Sequence, residues 1–492
     1  MNPLRFIDDQ LNGITMYRLL VYGLGVIAAV GIIFSFLGVL SLSGTALLLS
    51  LGILVATCYV VNKFMALSWG VVTNNESWLI TALILFCIMP PASTLERSFI
   101  LVLVALLAMA SKFMLAIRGK HLFNPAALAA AIVGTAGLLY AVWWVGSDVM
   151  LPFTMVLGLL VVRKIRRFRL FLTFLAASLV VMIALALMHN QDVVDIVKNA
   201  FEFSPLIFLG TIMLTEPSTM PPQATQQMLY GGLVGVLYAF HWKVLGVNIT
   251  PEVALVLGNV YAYAVSPKYK LRLKLKAREQ LSERVYNFRF TADRPLAFAP
   301  GQYLEWTLPH HHVDGRGNRR TFSIASSPTE KEIQIGVKMY QPSSSFKKAL
   351  LAMKPGATMM AGQLAGDFIL PKNPEQKLVF IAGGIGITPF RSMLKYIIDN
   401  NQQRDVILFY AVSTNDEVSY KEILKAAEKY GVKIITQVGQ LDESIIKKNA
   451  GDFKSRIFYL SGPNAMVESY KSLLVRMGVP RRHIKVDYFA GY

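Results

Sequence analysis

Long apolar stretches follow one another up to about Pro267; beyond it the apolar runs shrink to strand length and charged residues crowd between them. The first region predicts ten membrane-length candidates, near 16–38, 42–61, 77–91, 97–117, 124–145, 148–162, 170–188, 203–215, 226–246 and 251–266, since about 20 apolar residues cross a bilayer untilted. From Lys268 the pattern alternates. Leu271, Leu273 and Leu275 interleave with Arg272, Lys274 and Lys276, and 285–290, 303–307 and 332–336 repeat the period. Side chains two apart share one face of a strand, so this segment predicts a small antiparallel barrel or sandwich. Past Pro371, apolar runs at 378–381, 406–410, 432–435 and 456–460 alternate with helical stretches near 388–400, 417–430 and 463–477, which predicts an α/β parallel sheet. The expected architecture is multi-domain: a polytopic α-helical membrane domain over 1–267, the barrel over 268–371 and the parallel-sheet domain over 372–492.

Composition sharpens this division. Of 492 residues, 54% are hydrophobic and 16% charged, which excludes disordered and collagen-like chains. The net charge of +19 would suit nucleic acid in a soluble protein, but its placement argues otherwise. Before Lys268 there are 14 Lys and Arg against 10 Asp and Glu, and from Lys268 onward 35 against 20, so +15 of the charge belongs to the second region. That basicity suits an anionic leaflet and an anionic dinucleotide, and no nucleic-acid partner is expected. Cys58 and Cys87 are the only cysteines. They lie in apolar runs and cannot supply a disulfide scaffold or a four-cysteine iron–sulfur cluster.

Lys and Arg beside spans are retained on the cytoplasmic side, so the run Arg163, Lys164, Arg166, Arg167 and Arg169 is expected there. Counting spans outward puts the amino terminus, the loop with Arg118, Lys120 and His121, and the whole second region on that same side. The first apolar run is long and more follow, so no cleaved leader is expected. The chain reads as a multi-pass protein of a bacterial inner membrane.

The first parallel strand runs into Ala382-Gly383-Gly384-Ile385-Gly386-Ile387-Thr388-Pro389. Glycines admit a pyrophosphate close to the backbone, and Pro389 suits the first turn of a helix whose free N–H groups would face that anion. Alone, such a loop serves equally as a tight turn. In the barrel, Arg319-Arg320-Thr321-Phe322-Ser323-Ile324-Ala325-Ser326 supplies a cation, an aromatic and a hydroxyl. Together with Pro300-Gly301-Gln302-Tyr303, Ser344-Ser345 and Ser461-Gly462-Pro463, these ordered elements make 268–492 resemble the ferredoxin–NADP reductase family, an FAD-binding barrel joined to an NAD(P)-binding domain.

The resemblance implies FAD as cofactor, with NADH or NADPH as co-substrate. It implies Arg320 on the flavin phosphate, Phe322 against the isoalloxazine, Ser323 near its reactive N5, and Ser344 and Ser345 at the pyrophosphate. Tyr303, Thr321, Lys338, Gly383, Gly384, Gly386, Thr388, Pro389, Ser413, Gly462 and Pro463 complete the implied cofactor contacts. Ser461, where the family usually has Cys, would face the nicotinamide, and the terminal Tyr492 would cover the flavin. Phe322 stands where the family has Tyr. The acids in Ser413-Thr414-Asn415-Asp416-Glu417 would repel a 2′-phosphate, which favours NADH.

In the first region, Thr73-Asn74-Asn75-Glu76-Ser77, Ser111-Lys112, the stretch from Arg118 to Asn124-Pro125, and Leu214-Thr215-Glu216-Pro217-Ser218-Thr219 make 1–265 resemble the NqrB/RnfD membrane flavoproteins. No S-G-A-T segment is present, so the covalent FMN of that family is not expected. A noncovalent FMN or riboflavin remains a candidate, with Lys112, Arg118, Asn124 and Glu216 as its contacts. Lys112, Arg118 and Lys120 serve as well by snorkelling, and Glu216 and Glu252 read first as solvated helix-end caps. His310-His311-His312, beside Asp314 and Arg316, reads as a solvated loop rather than a metal site.

The expected function is electron transfer from NADH, or NADPH, through FAD to quinone, a membrane flavin or a redox partner protein, with transmembrane electron or ion transport and further complex subunits as open extensions. A haem-containing ferric reductase or NADPH oxidase is the rival, disfavoured because His121, His189 and His241 are the only histidines of the span region. A transporter with a regulatory flavin domain is the other, disfavoured by the scarcity of charge within spans.

Overall fold

The computed structural model describes residues 3–70, 75–117, 120–240, 243–244, 247–266 and 270–489. The chain divides into two compact units, Met1–Tyr269 and Lys270–Tyr492.

The first unit is helical. Among the described residues, four helices are long and apolar enough to cross a membrane: Met16–Phe36, Gly44–Trp69, Leu95–Met114 and Phe168–Met188. A fifth crossing is formed if Val193–Glu202 and Leu206–Met213, bent by 62° at their junction, count as one. The expected ten spans are therefore not supported. The reason is that hydropathy measures the length of an apolar run, whereas the helix inside it stops where the backbone requires. The run at 77–91 gives a helix ending at Ile88, ahead of Pro90 and Pro91. The run at 124–145 gives Pro125–Thr135, followed by Gly137 at φ 72°. Pro251–Val265 is likewise short, with 15 residues.

A repeat organises this unit. Met89-Pro90-Pro91-Ala92-Ser93-Thr94 leads into the helix Leu95–Met114, a two-residue strand pair and then the short helix Pro125–Thr135. Met220-Pro221-Pro222-Gln223-Ala224-Thr225 leads into Ala224–Phe240, another two-residue pair and Pro251–Val265. Proline occupies the first turn of both short helices, where its missing N–H costs nothing. The two short helices lie antiparallel: Asn259 accepts from the Asn124 N–H at one end (2.8 Å), and Glu252 approaches Gly134 at the other. Arg163 pairs with Asp8 through two bonds of 2.7 and 2.9 Å, which joins the basic run to the amino-terminal helix Pro3–Gly13.

The second unit opens with six antiparallel strands, β1 (Leu271–Ser282), β2 (Val285–Ala292), β3 (Tyr303–Thr307), β4 (Arg319–Ser323), β5 (Ile333–Lys338) and β6 (Thr358–Ala365), ordered β4-β3-β6-β1-β2-β5. Leu271, Leu273 and Leu275 are buried while Arg272, Lys274 and Lys276 are exposed, as period two demands. Five parallel strands follow: β7 (Leu378–Gly383), β8 (Val406–Val412), β9 (Val432–Val438), β10 (Ile457–Pro463) and β11 (Ile484–Phe489), ordered β9-β8-β7-β10-β11. β7 and β8 are buried along their whole length, because helices cover both faces of the sheet.

One helix, Thr388–Asp399, joins the barrel to this sheet. Its apolar face, Phe390, Met393, Leu394 and Ile397, packs on Phe380, Leu408 and Tyr410. Its other side carries Arg391, which donates to the carbonyl of Ala325 (3.0 Å) and pairs with Glu330 through both terminal guanidinium nitrogens, and Ser392, which donates to the carbonyl of Ser326 (2.7 Å). Arg391 is only 6% exposed. Removing one partner of such a pair strands the other charge, so Arg391→Ala is expected to lower the stability of the second unit by about 3 kcal/mol. Thermal unfolding of the full chain checks this; an unchanged transition would mean that the pair does not hold the barrel to the sheet.

Candidate active site and anion seat

The ends of β7 and β10 lie side by side, with Ala382 opposite Ser461. Between them the glycine loop turns into the helix Thr388–Asp399. Gly386 has no room for a side chain: a Cβ there would sit 2.5 Å from the Ser461 carbonyl carbon and 2.7 Å from the Gly462 Cα. Gly384 adopts φ 51°, which glycine tolerates without strain. Gly383 packs against Met466 and Pro463. Thr388, expected among the cofactor contacts, donates to the carbonyl of Ile385 (3.1 Å) and is buried with its methyl against Gly336. Pro389 is buried at the start of the helix.

Ser461 is wholly buried, and its hydroxyl has no hydrogen-bond partner. Leaving it so costs about 1–3 kcal/mol. Its neighbour across the sheet is Asp487 of β11, whose carboxylate accepts from the Ser323 hydroxyl at 3.3 Å. Ser323 thus bonds the Asp487 side chain, while Ser461 lies beside Asp487 only as its register neighbour on the adjacent strand. Asp487 was missed in the sequence because its partner lies 164 residues away; its only signal was an acid within the last apolar run.

On β4, Arg320 and Phe322 share one face. The Arg320 guanidinium lies 5.3 Å from the Phe346 ring centre, and the Phe322 ring lies 5.9 Å from the same ring. Phe346 belongs to the helix Ser345–Ala352, which Ser344 caps by accepting from the Lys347 N–H (3.4 Å). At this helix start the Ser345 N–H donates to the Asp314 carboxylate (2.7 Å), whose other oxygen accepts from the Arg316 N–H (3.0 Å) and faces Arg320 at 3.9 Å. Burial opposes the Asp314 charge, but these two N–H groups and Arg320 outweigh it and hold its carboxyl below the usual range. An anion is therefore already bound where the resemblance implies a pyrophosphate, so the donor set fits one. Lys347, on the first turn, is pushed down to about 8 by burial and by Arg320 and Arg316. Tyr303 pairs with Ser323 and lies against Gly366, while Thr321 is exposed opposite Glu305.

Lys338, at the end of β5, pairs with Glu417 at 2.8 Å, and Glu417 also accepts from the Ser413 N–H at 3.3 Å. Burial works against the Glu417 charge, but Lys338 prevails and keeps its carboxyl low. Glu417 is thus held ionised beyond the carboxyl end of β8, next to the strand that carries the glycine loop. Gly462 and Pro463 end β10 beside Gly383. Tyr492 lies outside the described residues.

In the first unit, the three motifs meet. Lys112 donates to the carbonyl and hydroxyl of Ser77 (2.7 and 3.0 Å), and Arg18 to Glu76 (3.0 Å). Asn124 caps the helix Pro125–Thr135 and donates from its amide to Glu216 (2.8 Å), which Ser218 (2.8 Å) and Thr219 (3.4 Å) also reach. Asn259, wholly buried, donates to the hydroxyl of Tyr230 (2.9 Å). Arg118 and His241 lie outside the described residues, as does the Lys120 side chain. The solvated-cap reading fails for Glu252, which is 2% exposed and accepts from the Trp143 indole at 3.2 Å. Glu216, half-buried and held by three side chains, is not a free cap either.

The loop histidines also correct the sequence expectation in part. His311 and His312 are exposed, but His310 faces the Ser345 hydroxyl (2.9 Å) and the Leu308 carbonyl (2.8 Å). Among the described residues no group of three His, Cys, Asp or Glu could hold a metal ion.

Residues 272–367 match the oxidoreductase FAD-binding domain and residues 380–472 the oxidoreductase NAD-binding domain. Curated relatives include Flavohemoprotein A of Dictyostelium discoideum, 24% identical over 42% of this chain and 56% of that one. An NADPH oxidoreductase of Mycobacterium tuberculosis is 28% identical over 39% of this chain and 52% of its own. The chain spans about half the length of these relatives. Among solved structures, the FAD/NAD-binding domain of a nitric oxide dioxygenase from Vibrio cholerae is 21% identical, covering 44% of this chain and 98% of that one at a TM-score of 0.40. The second unit is thus an oxidoreductase module with FAD- and NAD(P)-binding domains.

Lys347 donates to the Lys338 carbonyl (2.9 Å) and so acts on a phosphate only through its nearby charge. Burial, Arg320 and Arg316 lower it to about 8, so any contribution to FAD affinity is expected below that pH and to fade as pH rises through it. Flavin-fluorescence titrations at a series of pH values check this. Lys347→Met is expected to flatten the profile; the same decline in that variant would place the titrating group elsewhere.

Proposed function

We propose that the protein is a membrane-bound NAD(P)H oxidoreductase in which a nicotinamide coenzyme reduces FAD and the electrons pass to an acceptor in or beside the bilayer. The hydrogen bond from Ser323 to Asp487, whose register neighbour on the adjacent strand is Ser461, is the observation that carries this reading, since it ties the barrel strand β4 to the parallel sheet beside the glycine loop's strand pair. FAD, when bound, accepts a hydride and releases electrons singly. The chain's own part is positioning. Gly383, Gly384 and Gly386 admit the dinucleotide to the backbone, and Ser461 stands at the nicotinamide side of the strand ends. Asp487, by accepting the hydrogen bond of Ser323, fixes that hydroxyl with its oxygen lone pairs left for the flavin side. Arg320, Ser344 and Ser345 hold the flavin phosphates. We assign a membrane domain to 1–267, a flavin domain to 268–371 and a nucleotide domain to 372–492.

NADH is the favoured coenzyme. An ionised Glu417 beyond β8 accepts a ribose hydroxyl and repels a 2′-phosphate. The favoured location is a bacterial inner membrane, with the reductase module on the cytoplasmic face and its excess positive charge toward anionic lipid. Quinone is the first acceptor. The second is a noncovalent flavin in the NqrB/RnfD-like domain, for which the polar cluster of Lys112, Asn124 and Glu216 within an otherwise apolar unit is the supporting observation. A redox partner protein is a further acceptor; one relative is named as a monooxygenase reductase subunit.

An acceptor screen in membranes tests this. NADH is expected to support quinone reduction in the wild type, Ser323→Ala to slow it about tenfold and Gly386→Trp to abolish it; equal activity in both variants would refute the site. Glu417→Arg is expected to raise the NADPH-to-NADH ratio of kcat/KM by about tenfold or more. A ratio that stays put would remove Glu417 from coenzyme choice.

A further inference from the structure

The loop between β3 and β4 does more than connect two strands. Asp314 lies on it, and this carboxylate takes up the Ser345 N–H at the helix start, the Arg316 N–H and the approach of Arg320. The loop and the first residue of β4 also engage one terminal nitrogen of the Arg320 guanidinium: its Nη1 donates to the carbonyls of Arg316 (2.7 Å), Gly317 (3.2 Å) and Arg319 (2.6 Å). The donors that suit a diphosphate are therefore held by the chain itself.

We propose that Asp314 is an internal stand-in for the FAD diphosphate, and that FAD loads by displacing the loop around 310–318 from the start of the helix Ser345–Ala352. Displacement presupposes that this seat receives FAD, as proposed above. An ionised carboxylate and a diphosphate present like charge to the same donors and cannot both remain. Exchange leaves no donor stranded, because phosphate oxygens accept the N–H groups that Asp314 releases and the freed guanidinium turns to them.

His310 is the clip. Its Nδ1 faces the carbonyl of Leu308, which can only accept, so Nδ1 carries the proton and Nε2 accepts from the Ser345 hydroxyl. The Ser345 oxygen in turn accepts the Asp314 N–H at 3.0 Å. The charged groups at this seat are Asp314 and Arg316 on the loop and Arg320 on β4, while the Lys347 ammonium, though on the helix, turns to the Lys338 carbonyl (2.9 Å). Little apolar surface opposes release: His311, His312, Val313 and Gly315 are all exposed, and Gly317 turns the chain at φ 72°.

The test is FAD titration of the flavin-free full chain, followed by quenching of flavin fluorescence, with riboflavin as a probe that lacks phosphate. Asp314→Asn is expected to tighten FAD by about tenfold. His310→Ala, which unclips the loop and keeps every charge of the seat, is expected to tighten it about threefold. Riboflavin affinity should not move in either variant. FAD binding that is unchanged or weaker in both variants would overturn the displacement while leaving the flavin reading intact. A wild-type chain that binds no FAD would instead sink the flavin reading itself. Should Asp314→Asn fail to fold, judged by its unfolding transition, the His310→Ala result decides alone.

Discussion

The buried pairing of Arg391 with Glu330 is the constraint on which the reductase module depends. Arg391 sits two residues beyond the proline that opens its helix, so whatever fixes its guanidinium also fixes the glycine loop just ahead of it. Glu330 lies on the turn leading into β5, and Ala325 and Ser326, which accept from Arg391 and Ser392, follow directly from β4. One helix therefore carries the nucleotide loop at its start and grips the flavin strand's extension along its side. The Ser323–Asp487 contact is possible only because this docking brings β4 to the end of β11. Electrostatics here serves geometry: the net stabilisation from a buried ion pair is small, but its directional bonds set one arrangement of the two subdomains.

The anion seat uses the same physics with a different balance. Arg316, Arg320 and Lys347 bring their positive charge near one helix start, and burial first, then the two arginines, push the Lys347 ammonium down to about 8. Asp314 relieves that crowding from within the chain. Glu417 does the converse at the coenzyme side, where Lys338 holds a negative charge in place. The +15 of the second region is thus less a diffuse surface property than a set of local pairings, some of them exchangeable for a ligand's phosphates.

Local pattern made much of this legible in the sequence. Period two gave the strands from Leu271 to Lys276, and continuous apolar runs gave the buried parallel strands. The glycines at 383, 384 and 386 marked a close backbone approach. What stayed hidden depends on residues distant in sequence. Asp487 acquires meaning only beside Ser323 and Ser461, and Arg391 only beside Glu330. His310 looked solvated because the three histidines are adjacent, yet only the first reaches Ser345. In the helical unit, apolar runs overcounted crossings because Pro90, Pro91 and the turn after Thr135 end helices inside them. The duplicated Met-Pro-Pro segments and the antiparallel short helices account for what hydropathy blurred, and they place Asn124, Glu216 and Asn259 in one polar cluster.

The central claim is that a nicotinamide coenzyme passes a hydride to FAD within this chain. The most direct measurement is anaerobic stopped-flow absorbance of the purified, FAD-loaded full chain mixed with NADH carrying deuterium at C4, compared with unlabelled NADH. The account predicts bleaching of the flavin band near 450 nm that is slowed about two- to fivefold by deuterium on one face of the nicotinamide and unaffected by deuterium on the other, as transfer from a single fixed orientation requires. Flavin that stays oxidised in the presence of both NADH and NADPH would contradict it.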